Sequence, residues 1–397
     1  LESLLNKNLL RRVEGAAQEP RFVMLEMIHE YARERLEAGG EAGDLQRRHA
    51  EYFLALAEQA APELLGPGHA SWLTRLREGH NNLRTALAWA LGEGEAELGL
   101  RLVGALRDFW QYGGHSAEGL EWTKRALESV KDAPPDVRAR ALNVAGRLAF
   151  DERDHESGKV YNRDALALFR ELGDDIGTAW ALVFLAVHAL AFPGECKEGI
   201  KLCEEALRLF RKSDDKAGIS RALNSIGELA RLDSDYERAG RAYQEVIDIA
   251  RERGDKLAEA ISSANLGYVA HHQGNYEQAE AILAKSLTCF LEIENTRYIP
   301  QALAVFAGPV AAQGHPAKAA RLLGASEALL ESMGIGLQAG DQFEVERYRS
   351  AVHEQLDEAT LEAAWAEGRA MSLEEAVSYA LEVGQLRPAA SSPEANS

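Results

Sequence analysis

The most suggestive pair of side chains in this sequence is His271-His272, which lies within the stretch ANLGYVAHHQGNYEQAEAILAKSL. Histidines that bind one metal ion from a helix lie three or four residues apart, so that both rings face the ion. Adjacent helical residues point about 100 degrees apart. His29-Glu30 begins like the zinc-peptidase motif, but Arg33 occupies the position of its second histidine. Neither pair predicts a metal centre.

Other candidates for catalysis are equally weak. His115, His155 and His315 each lie at a predicted turn between helices, where we expect solvent-exposed side chains. No Ser/His/Asp or Cys/His triad can be recognised, and the G-x-x-x-x-G-K-[ST] loop that cradles phosphates is absent from this sequence. We therefore expect no catalytic residue, no metal and no cofactor, and no ATP hydrolysis by that route.

The composition is that of an acidic globular protein. The 397 residues include 44 Lys and Arg against 63 Asp and Glu, a formal charge of -19, so general attraction to nucleic acid or anionic lipid is not expected. No apolar run approaches the roughly 18 residues of a membrane span, and the first residues do not resemble a signal peptide. The three cysteines suit a reducing compartment. The sequence predicts a cytoplasmic protein, and the absence of an initial Met suggests a piece of a longer chain.

The segments that carry these histidines recur along the chain. Hexapeptides of one shape end at residues 146, 186, 227, 267 and 307, with spacings of 40, 41, 40 and 40. They read ALNVAG, ALVFLA, ALNSIG, SSANLG and ALAVFA. A second landmark, a small residue near the start of the next helix, recurs at Gly119, Gly158, Gly199, Ala239, Ala279 and Ala319. Two independent landmarks agree on one period, which is typical of an α-solenoid.

Each repeating unit is predicted to be a pair of helices. In the fourth unit, apolar residues at helical spacing occupy 261–270 and 276–290, and Gln273-Gly274-Asn275 separates them. Gly267 and Ala279 are expected to let the two helices approach closely. No strand-like alternation is sustained in this region, so the sequence predicts an all-α fold.

The segment NLGYVAHHQGNYEQA (Asn265 to Ala279) resembles the tetratricopeptide repeat signature. The signature has Leu-Gly in the first helix and Gly-x-Tyr-x-x-Ala across the turn, which match Leu266-Gly267 and Gly274, Tyr276 and Ala279. The usual period of that family is 34, so a period near 40 implies longer helices. The resemblance implies a superhelix of helical hairpins whose first helices line a concave groove.

The first 40 residues differ in kind. They predict a helix, a strand, a turn at Gly15 to Pro20, a strand at Arg21 to Leu25 and a helix from Glu26 to about Leu36. A helix followed by a two-stranded wing resembles the end of a winged-helix domain. The same resemblance continues through LQRRHAEYFLALAEQAAPELLG, WLTRLREGHNNLRTALAWAL and AWAEGRAMSLEEAVSYALE. Together these segments resemble the C-terminal part of bacterial multidomain signal-transduction ATPases (the STAND class), which include large maltose-regulator-like and LuxR-type transcriptional regulators.

The resemblance and the period together divide the chain into five segments. The predicted segments are a partial winged helix at 1–40, a helical linker at 41–95, about six tetratricopeptide-like units at 96–340, capping helices at 341–384 and a disordered tail at 385–397. Ser372 and Glu375 have the spacing of a helix capping box.

The resemblance implies a non-catalytic sensor module. It would bind a protein, a peptide or a small anionic effector in the groove and control an upstream ATPase domain in cis, and self-association is compatible with this role. Membrane binding and direct contact with nucleic acid are not expected. Two alternatives remain open: DNA binding through the N-terminal segment, where Lys7, Arg11, Arg12 and Arg21 cluster, and a constitutive scaffold without an effector.

Register with the repeat glycines identifies the side chains expected to face the groove. Two repeats separate Arg140 from Arg221, which occupies the equivalent position, and Asn143 from Asn224. Arginines would make the groove locally positive and suited to a carboxylate or phosphate, and aromatic rings would offer apolar faces. The candidates are Arg140, Asn143, Arg147, Trp180, Val183, Arg221, Asn224, Glu228, Arg231, Tyr268 and His271.

Overall fold

The computed structural model describes residues 2–14, 20–66, 68–92, 95–130, 132–337 and 339–383. These residues form 21 α-helices, three short 3-10 helices and one two-stranded sheet, so the prediction of an all-α fold is confirmed. Residues 15–19 of the predicted turn and the predicted disordered tail lie outside the described ranges, and Pro20 begins a strand. Between His188 and Ala189 the chain divides into two compact units, each of which is described by itself.

The first unit begins with a short helix and a β-hairpin. Helix α1 (Glu2–Asn6) precedes strands β1 (Leu10–Glu14) and β2 (Pro20–Met24), which pair antiparallel with Leu10 opposite Met24. Helix α2 (Glu26–Gly39) follows directly. The elements lie where the sequence predicts them, and the winged-helix interpretation of them stays a prediction.

The remainder of the first unit is helical. Its helices are α3 (Ala42–Glu63), α4 (His69–Glu78), α5 (His80–Gly92), α6 (Ala96–Ala105), α7 (Arg107–Gly113), α8 (Ser116–Ser129), α9 (Pro135–Asp151), α10 (His155–Leu172) and α11 (Asp175–Val187). A 3-10 helix spans His188–Ala191.

The second unit is also helical. Its α-helices are α12 (Cys196–Ser213), α13 (Lys216–Leu232), α14 (Tyr236–Arg253), α15 (Lys256–His272), α16 (Tyr276–Glu292), α17 (Ile299–Ala312), α18 (Pro316–Met333), α19 (Ala339–Gln355), α20 (Glu358–Arg369) and α21 (Leu373–Val383). Two 3-10 helices span Pro193–Glu195 and Thr296–Tyr298.

Aspartates at the turns start many of these helices. The Asp174, Asp215 and Asp255 carboxylates each accept a hydrogen bond from the backbone N–H three residues later, at 2.8 to 3.0 Å. Such caps satisfy amides that have no partner inside the helix. The predicted capping box is also formed, since the Glu375 N–H donates to Ser372 Oγ and the Ser372 N–H donates to Glu375 Oε2.

Small residues set the distance between paired helices. A Cβ atom on Gly267 of α15 would lie 2.7 Å from the Leu283 side chain of α16, and one on Gly227 of α13 would lie 2.5 Å from the Tyr243 ring of α14. Contacts this short do not occur between real side chains, so only glycine permits the observed packing. The packing role predicted for Gly267 follows directly from this contact.

The cysteines lie in apolar surroundings. Cys196 and Cys203 are buried and Cys289 is half-buried, and burial raises the pKa of all three thiols. A thiol with a raised pKa is a poor nucleophile at neutral pH. Among the described residues, no helix is long and apolar enough to cross a membrane.

Candidate binding sites

A cleft of about 690 Å³ opens in the first unit between α3, α6, α9 and α11. Three of the side chains predicted to face a groove line it: Arg140 and Asn143 on α9, and Trp180 on α11. Arg140 and Asn143 share a face of α9 because they are three residues apart. The structure thus brings three of the predicted residues together around one cavity.

Arg107 adds a cationic and aromatic contact to this cleft. Its guanidinium donates two hydrogen bonds to the buried Asp108 carboxylate, at 3.0 and 2.7 Å, and lies 4.8 Å from the centre of the Trp180 ring. The ion pair fixes the guanidinium, and the guanidinium in turn holds the indole by a cation–π contact. Trp180 is thus a positioned, half-buried aromatic wall of the cleft.

Charges of both signs line the cleft. Arg101 pairs with Glu58 at 2.7 Å, whereas Arg140 is exposed and, among the residues that the structure describes, pairs with no carboxylate. The remaining carboxylates of the lining are Asp136 and Asp174, and the latter caps α11. The cleft is therefore of mixed charge, whereas the sequence suggested a locally positive groove, and Arg140 is its available cation.

Two other candidates of the first unit lie away from the cleft lining. The Arg147 side chain is buried and pairs with Asp151 at 2.9 Å, with its guanidinium 5.1 Å from the Phe150 ring centre. Val183 is completely buried in the core. Both side chains contact other residues of the first unit and do not line the cleft.

A chain of buried polar groups runs behind the cleft. The Asn162 amide lies 3.1 Å from Asn143 Oδ1 and 3.2 Å from His188 Nε2, and His188 Nδ1 lies 3.3 Å from His155 Nδ1. Burial lowers the pKa of His188 to about 3, and it also lowers the pKa of His155. Both rings are therefore neutral at pH 7. The expectation of a solvent-exposed turn histidine is wrong for His155, because its half-buried ring contacts the His188 ring at the end of α11.

A histidine pair beside Glu118 is the group that most resembles a metal site in the described part of the chain. The ligand atoms of His80, His115 and Glu118 all lie within 4.8 Å of one another. However, Arg84 donates to both carboxylate oxygens of Glu118 at 2.6 Å, and this interaction lowers the pKa of Glu118 to about 2. The carboxylate thus has a cationic partner that a metal ion would have to displace, and we assign no metal to it.

The candidates of the second unit lie on α13 and α15. Asn224 donates to Glu228 at 2.9 Å, and the Asn265 amide lies 3.5 Å from Asn224 Oδ1. Burial, with the nearby Asp341 charge, raises the pKa of Glu228. Arg221 is half-buried on the same helix.

Helix α19 lies against these candidates. Arg231 donates to Asp341 at 3.0 Å, and Gln301 of α17 donates to the other oxygen of the same carboxylate at 2.5 Å. Three residues further along α19, Glu344 lies 2.9 Å from His272 Nε2. The face predicted to meet an anionic ligand therefore meets the carboxylates of the chain's own helix.

Aromatic rings continue the contact along α19. Tyr268 and Tyr348 stack with their centres 6.4 Å apart, and His271 meets Tyr348 edge-on at 5.1 Å. Burial, together with the positive field of His272, lowers the pKa of His271 to about 4, so its ring is neutral at pH 7. Sequence reasoning named Tyr268 and His271 but missed Asp341, Glu344 and Tyr348, since it treated α19 only as a cap.

Comparison with known proteins agrees with this architecture. The family model described as Tetratricopeptide repeat matches residues 189–252. Proteins provisionally named HTH-type transcriptional regulators in Mycobacterium tuberculosis and Mycobacterium bovis are 28% identical over 283 residues. That alignment covers 69% of this chain and 31% of each relative, so the chain spans about a third of the curated relatives that it matches.

Two solved structures share the fold. One is a Signal Transduction ATPase with Numerous Domains (STAND) protein with a tetratricopeptide repeat sensor from Pyrococcus horikoshii, with a TM-score of 0.50 and 17% identity over 96% of this chain and 60% of that chain. The other is a Rap protein complexed with Competence and Sporulation Factor, with a TM-score of 0.51 and 12% identity over 79% of this chain and 100% of that chain. The chain thus carries a tetratricopeptide repeat within an all-α, solenoid-like fold.

Proposed function

We propose that this chain is a non-catalytic protein-interaction module that binds a peptide segment in the cleft of the first unit. The observation that carries the proposal is the arrangement of Arg140, Asn143 and Trp180 around one open cavity. An exposed guanidinium without an ion partner can take a carboxylate, an amide can pair with a peptide group, and an indole can cover an apolar side chain.

The lining favours a peptide over a small anion. Three arginines and three carboxylates face the cleft, so a purely anionic ligand would meet repulsion as well as attraction. A peptide can place a carboxylate at Arg140 and a donor near Asp136 or Asp174, with an apolar residue against Trp180. A lining of mixed charge selects peptides by the order of their charged and apolar residues, and not by their net charge alone.

The place of this module in a longer protein forms part of the proposal. The similarity in fold to a STAND protein with a tetratricopeptide repeat sensor, and in sequence to named transcriptional regulators, supports a sensor that follows an ATPase domain in cis. Ligand binding would then favour one arrangement of the helical module relative to the ATPase domain. Such control requires different ligand affinities in the two arrangements.

Peptide-library selection on the purified chain tests the binding role. Enriched peptides should bind Arg140→Ala and Trp180→Ala about tenfold more weakly than the wild type, as measured by fluorescence anisotropy. Gly104→Leu should block them without altering any charge, because Gly104 lies in the lining beside Arg140. Arg163→Ala, which removes an exposed arginine of α10 outside the cleft, is the matched control. No enrichment would reject peptide binding, and unchanged affinity in all three variants would reject the cleft.

A further inference from the structure

One layer of the first unit is polar where the equivalent layers of later repeats are apolar or aromatic. Asn162 and His188 are completely buried, and Asn143 is only 6% exposed. By the repeat register, the later equivalents are Cys203, Tyr243 and Leu283 for Asn162, and Leu229 and Val269 for His188. A buried polar group is costly unless it is hydrogen-bonded. Hydrogen bonds therefore do in this hairpin what apolar contacts do in the later ones.

Two glycines bring this layer close to the helix backbones. A Cβ atom on Gly146 of α9 would lie 2.2 Å from the Asn162 amide, and one on Gly158 of α10 would lie 2.3 Å from His188 Cε1. The amide thus lies directly against α9, and the imidazole lies directly against α10. Such close packing leaves little space for either group to turn away from its partners.

The Asn162 amide gives the layer a direction. The terminal atom that faces His188 Nε2, at 3.2 Å, also lies 3.1 Å from the Gly158 carbonyl oxygen and 3.3 Å from that of Phe184. Carbonyl oxygens only accept hydrogen bonds, so this atom is the nitrogen, and it can donate to His188 Nε2 as well. The Asn162 oxygen then faces the Asn143 amide at 3.1 Å and accepts from it. The donors thus run from Asn143 towards His188.

This direction fixes the tautomers of both imidazoles. A neutral imidazole carries one proton, so a ring that accepts at Nε2 carries its proton on Nδ1. His188 Nδ1 then donates to His155 Nδ1, 3.3 Å away, which leaves the proton of His155 on Nε2. The Gly146 carbonyl competes for the His188 proton, so the tautomer of His188 is the quantity to measure.

His155 is the more accessible end of the layer. Its ring is half-buried at the start of α10, whereas the His188 ring is completely buried. A second proton on His155 must go to Nδ1, the atom that accepts from His188, and two N–H groups cannot share one hydrogen bond. Proton uptake by His155 and its contact with His188 therefore exclude each other.

The charged groups near the two rings have both signs. They are Arg147 and its partner Asp151 on α9, Arg153 and Asp154 in the turn, and Glu156 and Lys159 on α10. Desolvation is the largest influence on His155, and it lowers the pKa of this ring below the ordinary value of 6.5. His155 is therefore neutral at pH 7 and takes up its second proton only in acid.

We propose that the layer of Asn143, Asn162, His188 and His155 is a proton-sensitive latch on the end of α11. Neutral His155 accepts the hydrogen bond that holds His188, and a proton taken from solvent at His155 Nδ1 breaks this bond. The helix that carries Trp180 then loses its fixed end. The latch needs no ligand, so the inference does not depend on peptide binding in the cleft.

Two measurements on the purified full chain test the latch. Long-range ¹H–¹⁵N spectra of histidine-labelled protein at pH 7 should show the His188 proton on Nδ1 and the His155 proton on Nε2. Substitution of each histidine in turn assigns its signals. Hydrogen exchange followed by mass spectrometry should show that the last two turns of α11 lose protection about tenfold between pH 7.5 and pH 4.5, after correction for the intrinsic exchange rate.

Three variants identify the group that responds to pH. His155→Asn keeps an acceptor near the position of Nδ1 and takes up no proton, so the end of α11 should stay protected at both pH values. Asn162→Leu/His188→Leu supplies the apolar side chains of later repeats and should also abolish the pH dependence. His315→Asn changes an exposed histidine at a turn of the second unit and should respond as the wild type does.

Three results would overturn the inference. They are a His188 proton on Nε2, wild-type protection that does not change with pH, and a His155→Asn chain that loses protection as the wild type does. The tautomer is measured on the wild-type chain, so it decides the question even if a variant fails to fold.

Discussion

Arg231 and Asp341 form an ion pair between residues 110 positions apart in the sequence, with 3.0 Å between Nη2 and Oδ1 and side chains only 2% and 6% exposed. Burial raises the pKa of Asp341 although the Arg231 charge opposes this effect, so the pair is strongly desolvated. The pair joins the first helix of one repeat to the helix that follows the repeats. Mutation of its two residues can measure what this pair contributes to the free energy of unfolding.

Removing one partner of this pair should cost much more than replacing both. Asp341→Ala leaves a buried guanidinium without its carboxylate, and we expect a loss of about 3–5 kcal/mol in the free energy of unfolding. The joint change Arg231→Met/Asp341→Leu should recover most of that loss, because buried apolar side chains need no ion partner or hydrogen bond. Urea unfolding at pH 7 measures both, and strictly additive losses would contradict the assignment of a coupled pair.

Glu280 should make the free energy of unfolding fall as the pH rises through 7. Burial raises the pKa of Glu280 from its ordinary value of 4.5 to about 7, despite a hydrogen bond from Gln313 at 2.7 Å. The folded state therefore prefers the protonated acid, and this stabilisation, complete below pH 4.5, is lost as the pH rises through 7. Glu280→Gln should exceed the wild type by roughly 1–3 kcal/mol at pH 8.5 and match it at pH 4.5. Glu292→Gln, which changes an exposed acid at the other end of the same helix, should show no such trend in urea titrations at both pH values.

Gly227 should tolerate no side chain. An added methyl group would lie 2.5 Å from the Tyr243 ring, so Gly227→Ala should destabilise the second unit by about 1–3 kcal/mol. Gly43→Ala is the control, because an added Cβ meets nothing within 4 Å there and alanine favours the helix by roughly 0.5–1 kcal/mol. Thermal unfolding followed by circular dichroism should move in opposite directions for the two variants. A Gly227→Ala protein as stable as the wild type would show that α13 and α14 can separate freely.

Helix starts should differ in their sensitivity to substitution. Asp255 accepts a hydrogen bond from the Ala258 N–H at 3.0 Å, whereas the Asn275 side chain makes no capping hydrogen bond. Asp255→Ala should therefore cost about 1 kcal/mol and Asn275→Ala only a few tenths. Chemical denaturation of the two variants side by side measures the difference, and equal losses would show that the Asp255 cap hydrogen bond adds no stability.

The repeat pattern predicts the helices well because it is local. The predicted turn at Gln273-Gly274-Asn275 separates α15 from α16. The capping box between Ser372 and Glu375 forms as their spacing predicts. Helix starts, turns and apolar faces depend on residues within a few positions of one another, so one sequence carries the information.

For the candidate sites, the repeat register carries part of the positional information and long-range contacts carry the rest. Arg140, Asn143 and Trp180 share a cleft because the 40-residue register projects them onto one face. The position of α19 depends on contacts between residues 40 to 110 positions apart, which no periodic pattern encodes. The sequence therefore suggested a locally positive groove without indicating that Asp341 and Glu344 pair with Arg231 and His272 there.

The aspartate caps also recur in step with the helical hairpins. Asp174, Asp215 and Asp255 are 41 and 40 residues apart, and each begins a helix through the third amide that follows it. A variant that lacks the residues from one of these aspartates to the next would therefore join one hairpin to another with its helix-start signal intact.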